Sequence, residues 1–417
     1  MISFAFGEQK EIKMNKSTFF TGQPIFAQLI SQLNKGDINK AIKEHNSDRY
    51  TRHFTTWSHM VSMLYTVYQH CTSLREVTTG LLACEGKLQS LGLLRFVKKS
   101  TLSDANKRRS SEVFENIYNK TYARLKPFLP DSRLKGSVFK KLYIIDSTSI
   151  QLFKEILQGA GRQPANGKRK GGVKVHMSVK ASEDVPGLVM ITAAARNDAV
   201  FLNKINCPKG SYVVFDKGYN SFKQFNLWSK RGINWVTRLR SNTVVTIISE
   251  NKVSAKDKTN GVIADQQVVI GHKSNQIQKV HCRLVTYFDS INKREFQFLT
   301  NSNKISGYTV ASIYKQRWQI ELLFKRLKQT CQLQYFLGDN ENAIRIQIWC
   351  TLLADLLLKA ATINIKKNWA FTNLSALIRL HLMNYTNLNK FLNNPDQASI
   401  FNPRIITQNQ LSLFSSA

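Results

Sequence analysis

KLYIID (141–146), followed by Ser-Thr-Ser, is an apolar run closed by a single aspartate. YVVFD (212–216), followed by Lys-Gly-Tyr, repeats the pattern. Short runs rich in β-branched and aromatic residues predict strands, and VKVHMSVK (173–180), LVMITAA (188–194) and INWVTRL (233–239) read the same way. Helices are expected at 198–205 and 220–230. Strands alternating with helices indicate an α/β sheet, in which reactive groups collect where strands end and loops begin. Asp146 and Asp216 stand at two such ends. An acid there also closes turns or caps helices, so neither aspartate alone fixes a site.

Outward from this core, residues 24 to about 127 read as helical. Pro24 opens an apolar-periodic stretch (Ile25, Phe26, Leu29, Ile30, Leu33), and Trp57 to Tyr68 and Leu74 to Leu82 keep the same period. Asp104 to Leu125 predicts one long amphipathic helix with Ser103 as its cap. The cations Lys107, Arg108 and Arg109 then suit a helix N-terminus facing phosphate; a solvated helix face is the alternative. Between about 242 and 300, VVTII, QQVVI, KVHCRLVTYF and EFQFL form a strand block, which predicts a β-rich insertion. Helices resume from Ser306 through Lys367, and from about 393 the chain is rich in Asn, Pro and Gln.

The 417 residues include 60 Lys+Arg against 27 Asp+Glu, a formal charge of +33. That excess favours a polyanionic partner, because each cation beside a phosphate releases a counterion. The cations run through the predicted elements, so a folded nucleic-acid track is expected. Cys71, Cys84, Cys207, Cys282, Cys331 and Cys350 are far apart, lack zinc spacing, and read as buried, reduced thiols of a cytosolic protein. The opening MISFAFGEQKEIK has neither a basic start nor a long apolar run, so no secretory signal is expected. Ala343 to Ile365 is the most apolar helix, but Arg345, Gln347, Asp355 and Lys359 make it a core helix rather than a membrane span.

A third acid completes a pattern. Tyr314, Arg317, Glu321 and Lys328 fall within about 60° of arc on one predicted helix. Their flank of Ile313, Ile320, Leu323, Phe324 and Leu327 is apolar and should pack on a core. Phosphoryl transfer uses hard oxygen ligands for two magnesium ions roughly 4 Å apart, and Asp146, Asp216 and Glu321 offer such a set. Competing acids have simpler roles: Asp198 as a helix cap, Asp339 and Glu341 at the start of the next helix, Asp104 in a first helical turn.

Tyr314-x2-Arg317-x3-Glu321-x6-Lys328, behind Asp146 and Asp216-Lys-Gly-Tyr219, resembles the DDE transposases of bacterial insertion sequences, more narrowly the insertion-sequence-four family. The likeness spans about 140 to 335. It implies an α/β, RNase H-like catalytic core with a β-rich insertion and a helical N-terminal DNA-binding region. The expected boundaries are 14–130 for that helical region, 138–241 and 304–368 for the two parts of the core, 242–303 for the insertion, and 369–417 for a C-terminal helical tail. By the same resemblance, Asp146, Asp216 and Glu321 bind two Mg2+ ions, which Mn2+ can replace, and Tyr314, Arg317 and Lys328 hold DNA phosphates. The family's base-stacking tryptophan has no counterpart between 236 and 317: Trp235 precedes the insertion, and Tyr287 or Phe288 is the aromatic substitute within it.

Gly167-Lys168-Arg169-Lys170-Gly171-Gly172 is a flexible, basic loop leading into a strand that carries Lys174 and His176 on one face. These five polar residues are candidate DNA contacts near the active site; an exposed hairpin loop and a hydrogen-bonded histidine are the alternatives. The stretch from Gly161 to Lys168 is not a phosphate loop, because Arg169 follows the lysine where Ser or Thr is needed. The leading expectation is a cut-and-paste DNA transposase acting on terminal inverted repeats and target DNA. It would work as a homodimer in a synaptic complex, in a bacterial cytoplasm at the nucleoid, away from any membrane. The alternatives are an RNase H-like nuclease or resolvase without strand transfer, and an inactive DNA-binding relic.

Overall fold

The computed structural model describes residues 22–129, 136–151, 172–272, 275–331, 333 and 336–395. Its contacts divide it into two units: residues up to Leu102 with those from Leu357 onward, and Ser103–Leu356.

The first unit begins with α1 (Ile25–Ile30), α2 (Lys35–Glu44), α3 (Thr56–Gln69) and α4 (Leu74–Ala83). Asn34, Thr55 and Ser73 cap the last three, each accepting a backbone N–H three residues on. The second unit begins within α5 (Lys99–Arg108) and contains α6 (Ser111–Leu125), so the single helix expected over 104–125 is two. Ser103 and Asp104 lie inside α5 rather than at its start, and Ser110 is the cap of α6. The break is stabilised by Asn342, whose amide donates to the carbonyls of Asn106 (2.9 Å) and Arg109 (2.7 Å) and accepts from Ser111 N–H (3.0 Å). Arg109 is buried.

The second unit is built on a nine-stranded sheet, which α7 (Ser137–Lys140) precedes. The strands are β1 (Leu142–Gln151), β2 (Gly172–Lys180), β3 (Pro186–Ala193), β4 (Tyr212–Phe215), β5 (Asn234–Arg238), β6 (Thr243–Glu250), β7 (Val262–His272), β8 (Asn275–Asp289) and β9 (Arg294–Thr300). They lie in the order β3-β2-β1-β4-β5-β9-β8-β7-β6. The first five are an RNase H-like core: β1–β2 and β2–β3 are antiparallel, and β1–β4 and β4–β5 are parallel. β4 is buried along its whole length, as a parallel strand covered on both faces must be. The helices α8 (Ala199–Leu202) and α9 (Phe222–Lys230) join these strands. Phe215, Phe225, Trp228 and Trp235 form the aromatic centre, with the Phe225 and Trp235 rings stacked at 4.4 Å.

The strand block after residue 242 extends the same sheet, because β9 pairs with the edge of β5. Helices lie within it and beyond it, and it holds the first of those beyond in place. The helices are α10 (Ala255–Thr259), α11 (Gly307–Gln316) and α12 (Trp318–Lys325). Asp257 accepts the N–H groups of Gly307 (3.3 Å) and Tyr308 (3.2 Å), orphan donors of the first turn of α11. Arg283 forms a buried ion pair with Asp265 and donates to the carbonyls of Ser302 (3.2 Å) and Ile305 (2.7 Å) just ahead of that helix.

The helix expected to run unbroken from Tyr314 to Lys328 is in three pieces: α11 ends at Gln316, α12 follows after Arg317, and Arg326–Thr330 is a π-turn. Its apolar flank is buried as expected, from Ile313 at 0% to Phe324 at 8% exposure. Arg326 anchors the far end, reaching Asp184 (2.9 Å) and Asp355 (2.8 Å). Asp355 sits on α13 (Glu341–Ala361), which accounts for its charge in an apolar helix. Among the described residues no helix is long and apolar enough to cross a membrane. All six cysteines are free; Cys84 is half-buried rather than buried. In α14 (Phe371–His381) and α15 (Leu388–Asn393) the chain returns to the first unit, where Gln28 of α1 donates to Thr386 O (2.6 Å) and accepts Leu388 N–H (2.8 Å).

Removing one partner of the Arg283–Asp265 pair leaves a buried charge uncompensated. Asp265→Ala is therefore expected to lower unfolding stability by about 3–5 kcal/mol, read by urea denaturation; a loss under about 1 kcal/mol would mean the pair behaves as a surface bridge.

Candidate active site

Parallel pairing of β1 with β4 stops at Ile145↔Phe215. Asp146 and Asp216 are the next residue on each chain, so the two carboxylates emerge side by side from neighbouring strands. Asp146 does not end its strand, as the sequence suggested. β1 continues to Gln151 because Ser147–Gln151 still pair with β2 after β4 has turned away. Asp216 opens a tight turn over Lys217–Tyr219, its Oδ2 accepting Gly218 N–H at 3.3 Å.

The third acid arrives from α12, and α11 supplies a phenol. Arg317, at the junction of the two helices, donates to Asp146 Oδ2 (2.8 Å) and to Glu321 Oε1 (2.5 Å). Tyr314 OH donates to Asp216 Oδ1 (3.3 Å). Each of the three expected acids is thus tied to a side chain of the Tyr-Arg-Glu-Lys segment. Lys328 reaches β1 itself, donating to Ser149 O at 3.1 Å. Burial pushes the Tyr314 phenol up to about 12, with Asp216 adding to the shift, so it stays a donor at neutral pH.

The Asp146 side chain is 16% exposed. Burial raises its carboxyl from the usual 3.8 to about 6, and Asp216 and Glu321 push the same way, against Ser147 N–H and Arg317. Three carboxylates of this kind suit a hard divalent cation in donor chemistry. Among the described residues, however, no group of three His, Cys, Asp or Glu side chains is gathered closely enough to hold one ion in this arrangement. A guanidinium joins Asp146 to Glu321 instead. Chelation by all three acids therefore requires Arg317 to release at least one of them.

The candidate DNA contacts differ in their surroundings. Lys174 and His176 are 5% and 0% exposed and face inward, so they support the site instead of meeting phosphate. His176 bonds Tyr219 OH (3.2 Å) and Thr192 Oγ1 (3.1 Å), and burial lowers its pKa to about 4, leaving it neutral. Asp198 makes no cap bond, since Asn197 accepts Ala199 N–H; it lies instead 2.7 Å from Lys174 Nζ. Lys107 and Arg108 are exposed, with Arg108 paired to Asp104 at 2.8 Å, whereas Arg109 is too buried to reach DNA. Lys168, Arg169 and Lys170 lie outside the described residues. Trp235 is wholly buried against Phe225 and is closed to base stacking, Tyr287 is half-buried, and Phe288 is 42% exposed.

The family described as "Transposase DDE domain" matches residues 138–357, and a "Domain of unknown function (DUF4372)" matches 21–94. A Sinorhizobium fredii protein, "Putative transposase y4zB", is 31% identical over 261 residues, 62% of this chain and 70% of the relative. A Synechocystis protein, "Putative transposase for insertion sequence element IS4SA", is 27% identical over 63% of this chain and 72% of the relative. A solved piggyBac transposase synaptic complex with hairpin DNA has a TM-score of 0.41 and 10% identity, covering 94% of this chain and 86% of that one.

The native state binds a proton at Asp146 more readily than the unfolded chain does. The resulting stabilisation is complete below pH about 4 and is lost as pH rises through about 6. Asp146→Asn is expected to match the parent near pH 4 and to exceed its stability by roughly 1–3 kcal/mol at pH 8. Urea denaturation at the two pH values checks this, and a less stable variant at pH 8 would contradict it.

Proposed function

The chain belongs to the DDE-domain transposases, of the insertion-sequence-four type, and from that premise we propose that Asp146, Asp216 and Glu321 are its catalytic triad. The observation that carries this reading is the linkage of all three acids to one helical segment through Arg317 and Tyr314. The triad would hold Mg2+, or Mn2+ in its place, with two ions per site. When bound, the cations supply Lewis-acid activation of the attacking and leaving oxygens in phosphoryl transfer.

The chain's own residues do the remaining work. Arg317, once freed from a carboxylate, offers a planar fork that fits a phosphate bidentately. Tyr314 keeps its proton and donates at the same edge. Lys328, whose ammonium is disfavoured by burial, gains from a phosphate that would compensate it. The substrates are double-stranded DNA carrying the element's terminal inverted repeats, and target DNA, which the freed 3′ hydroxyl attacks. The region over 14–130 binds the ends, and the strands over 242–303 brace α11. Holding two ends together calls for a homodimer in a synaptic complex. Such a protein works on bacterial DNA in the cytoplasm, at the nucleoid.

Glu321→Ala is expected to bind element-end duplexes as the parent does while nicking them in Mg2+ roughly 10³-fold more slowly or worse. Parent-like nicking by this variant would remove Glu321 from the triad. With pre-cut ends, the parent is expected to join the 3′ end to target DNA; nicking without joining would make the protein a nuclease.

A further inference from the structure

Behind the three acids lies a fourth, Asp198, whose contacts go beyond the proposed triad. Its Oδ1 is 2.7 Å from Lys174 Nζ, and the two side chains are 23% and 7% exposed. The same oxygen accepts from Ser147 Oγ at 3.4 Å, and Ser147 N–H donates to Asp146 Oδ1 at 2.8 Å. The other oxygen, Oδ2, lies 3.7 Å from the point where a Cβ on Gly218 would stand, and Asp216 Oδ2 lies equally far from that point. Asp198 therefore adjoins both segments that carry the strand-borne catalytic acids: β1 through Ser147, and the Asp216–Tyr219 turn through Gly218.

Sequence and topology explain this convergence. Lys174 faces Ser149 across the β1–β2 ladder, one pleat from the Ser147↔His176 pair, so Lys174 and His176 share the face on which Ser147 stands. His176 holds the far side of the turn through Tyr219 OH. An Asp198 without Lys174 would place one more negative charge beside two carboxylates that already repel each other. With Lys174 it is neutralised, and a short charge-assisted bond makes it a stiff wedge between β1 and the turn.

We propose that the Lys174–Asp198 pair is a positioning device that sets the spacing and orientation of Asp146 and Asp216 for a shared divalent cation. It deepens the triad reading above and rests on it. Neither residue touches DNA or the reacting atoms; both act through Ser147 and Gly218.

The test is single-turnover cleavage of a labelled element-end duplex by the full chain, with Mg2+ titration and DNA binding measured in parallel. Asp198→Asn and Lys174→Gln are each expected to slow cleavage by about 10–100-fold and to raise the Mg2+ concentration at half-maximal rate, with end binding unchanged. Combining the two should cost less than the product of the single effects, because no buried charge is then left unpaired. Ser147→Ala, which leaves the ion pair intact and removes one link, should show a milder loss with the same Mg2+ shift. The proposal is overturned if these variants cleave at the parent rate, or if any rate loss follows the fraction unfolded by circular dichroism with Mg2+ dependence unmoved. Glu321→Gln separates the two readings: an inactive Glu321→Gln beside a parent-like Asp198→Asn overturns the positioning role alone. An active Glu321→Gln overturns the triad and, with it, the positioning role.

Discussion

Everything at the site follows from one constraint: β1 and β4 run parallel and part company one residue before each aspartate. Ile145↔Phe215 is the last paired position, so the backbone delivers Asp146 and Asp216 as neighbours whatever their side chains prefer. Burial first, and the neighbouring Asp216 and Glu321 after it, raise the Asp146 carboxyl to about 6. Counter-charge has to come from elsewhere in the chain. Arg317 supplies it from the helical segment, while Lys174 of β2 neutralises the neighbouring Asp198.

The second requirement is a helical segment that stays put over the sheet. Burial of Ile313, Ile320, Leu323 and Leu327 provides the affinity, but apolar packing alone does not fix rotation or register. Directional bonds do that. Asp257 holds the first turn of α11, Arg283 pins the loop before it, and Arg326 ties the far end to Asp184 and Asp355. The β-rich stretch is thus part of the frame of the candidate site: it lengthens the sheet and holds the start of α11, the helix that precedes the one carrying Glu321.

Much of this was legible in the sequence. The five core strands announced themselves by short apolar runs, and the family signature pointed to the three acids. What stayed hidden has identifiable causes. No Pro or Gly lies between 308 and 337 to mark the break at Arg317 or the π-turn, because the bend goes with side-chain bonds to Asp146 and Glu321. The division of α5 from α6 depends on Asn342, over 200 residues away along the chain. Asp198 looked like a helix cap because Ala199–Leu202 does follow it, yet its neighbour Asn197 makes the turn's bond. Lys174 and His176 looked like DNA contacts because a basic glycine loop leads into their strand; they do lie near the three acids, but that face is closed by Asp198, Tyr219 and Thr192.

Arg317 occupies the position from which the account draws its sharpest consequence, since it links two acids that a cation would also claim. Mn2+ binding to the DNA-free protein, followed by electron paramagnetic resonance, tests that competition directly. Arg317→Ala is expected to bind Mn2+ more tightly than the parent, and a further Asp216→Asn change should abolish the gain. Equal Mn2+ affinity in the parent, Arg317→Ala and the double variant would contradict a metal centre built on these acids.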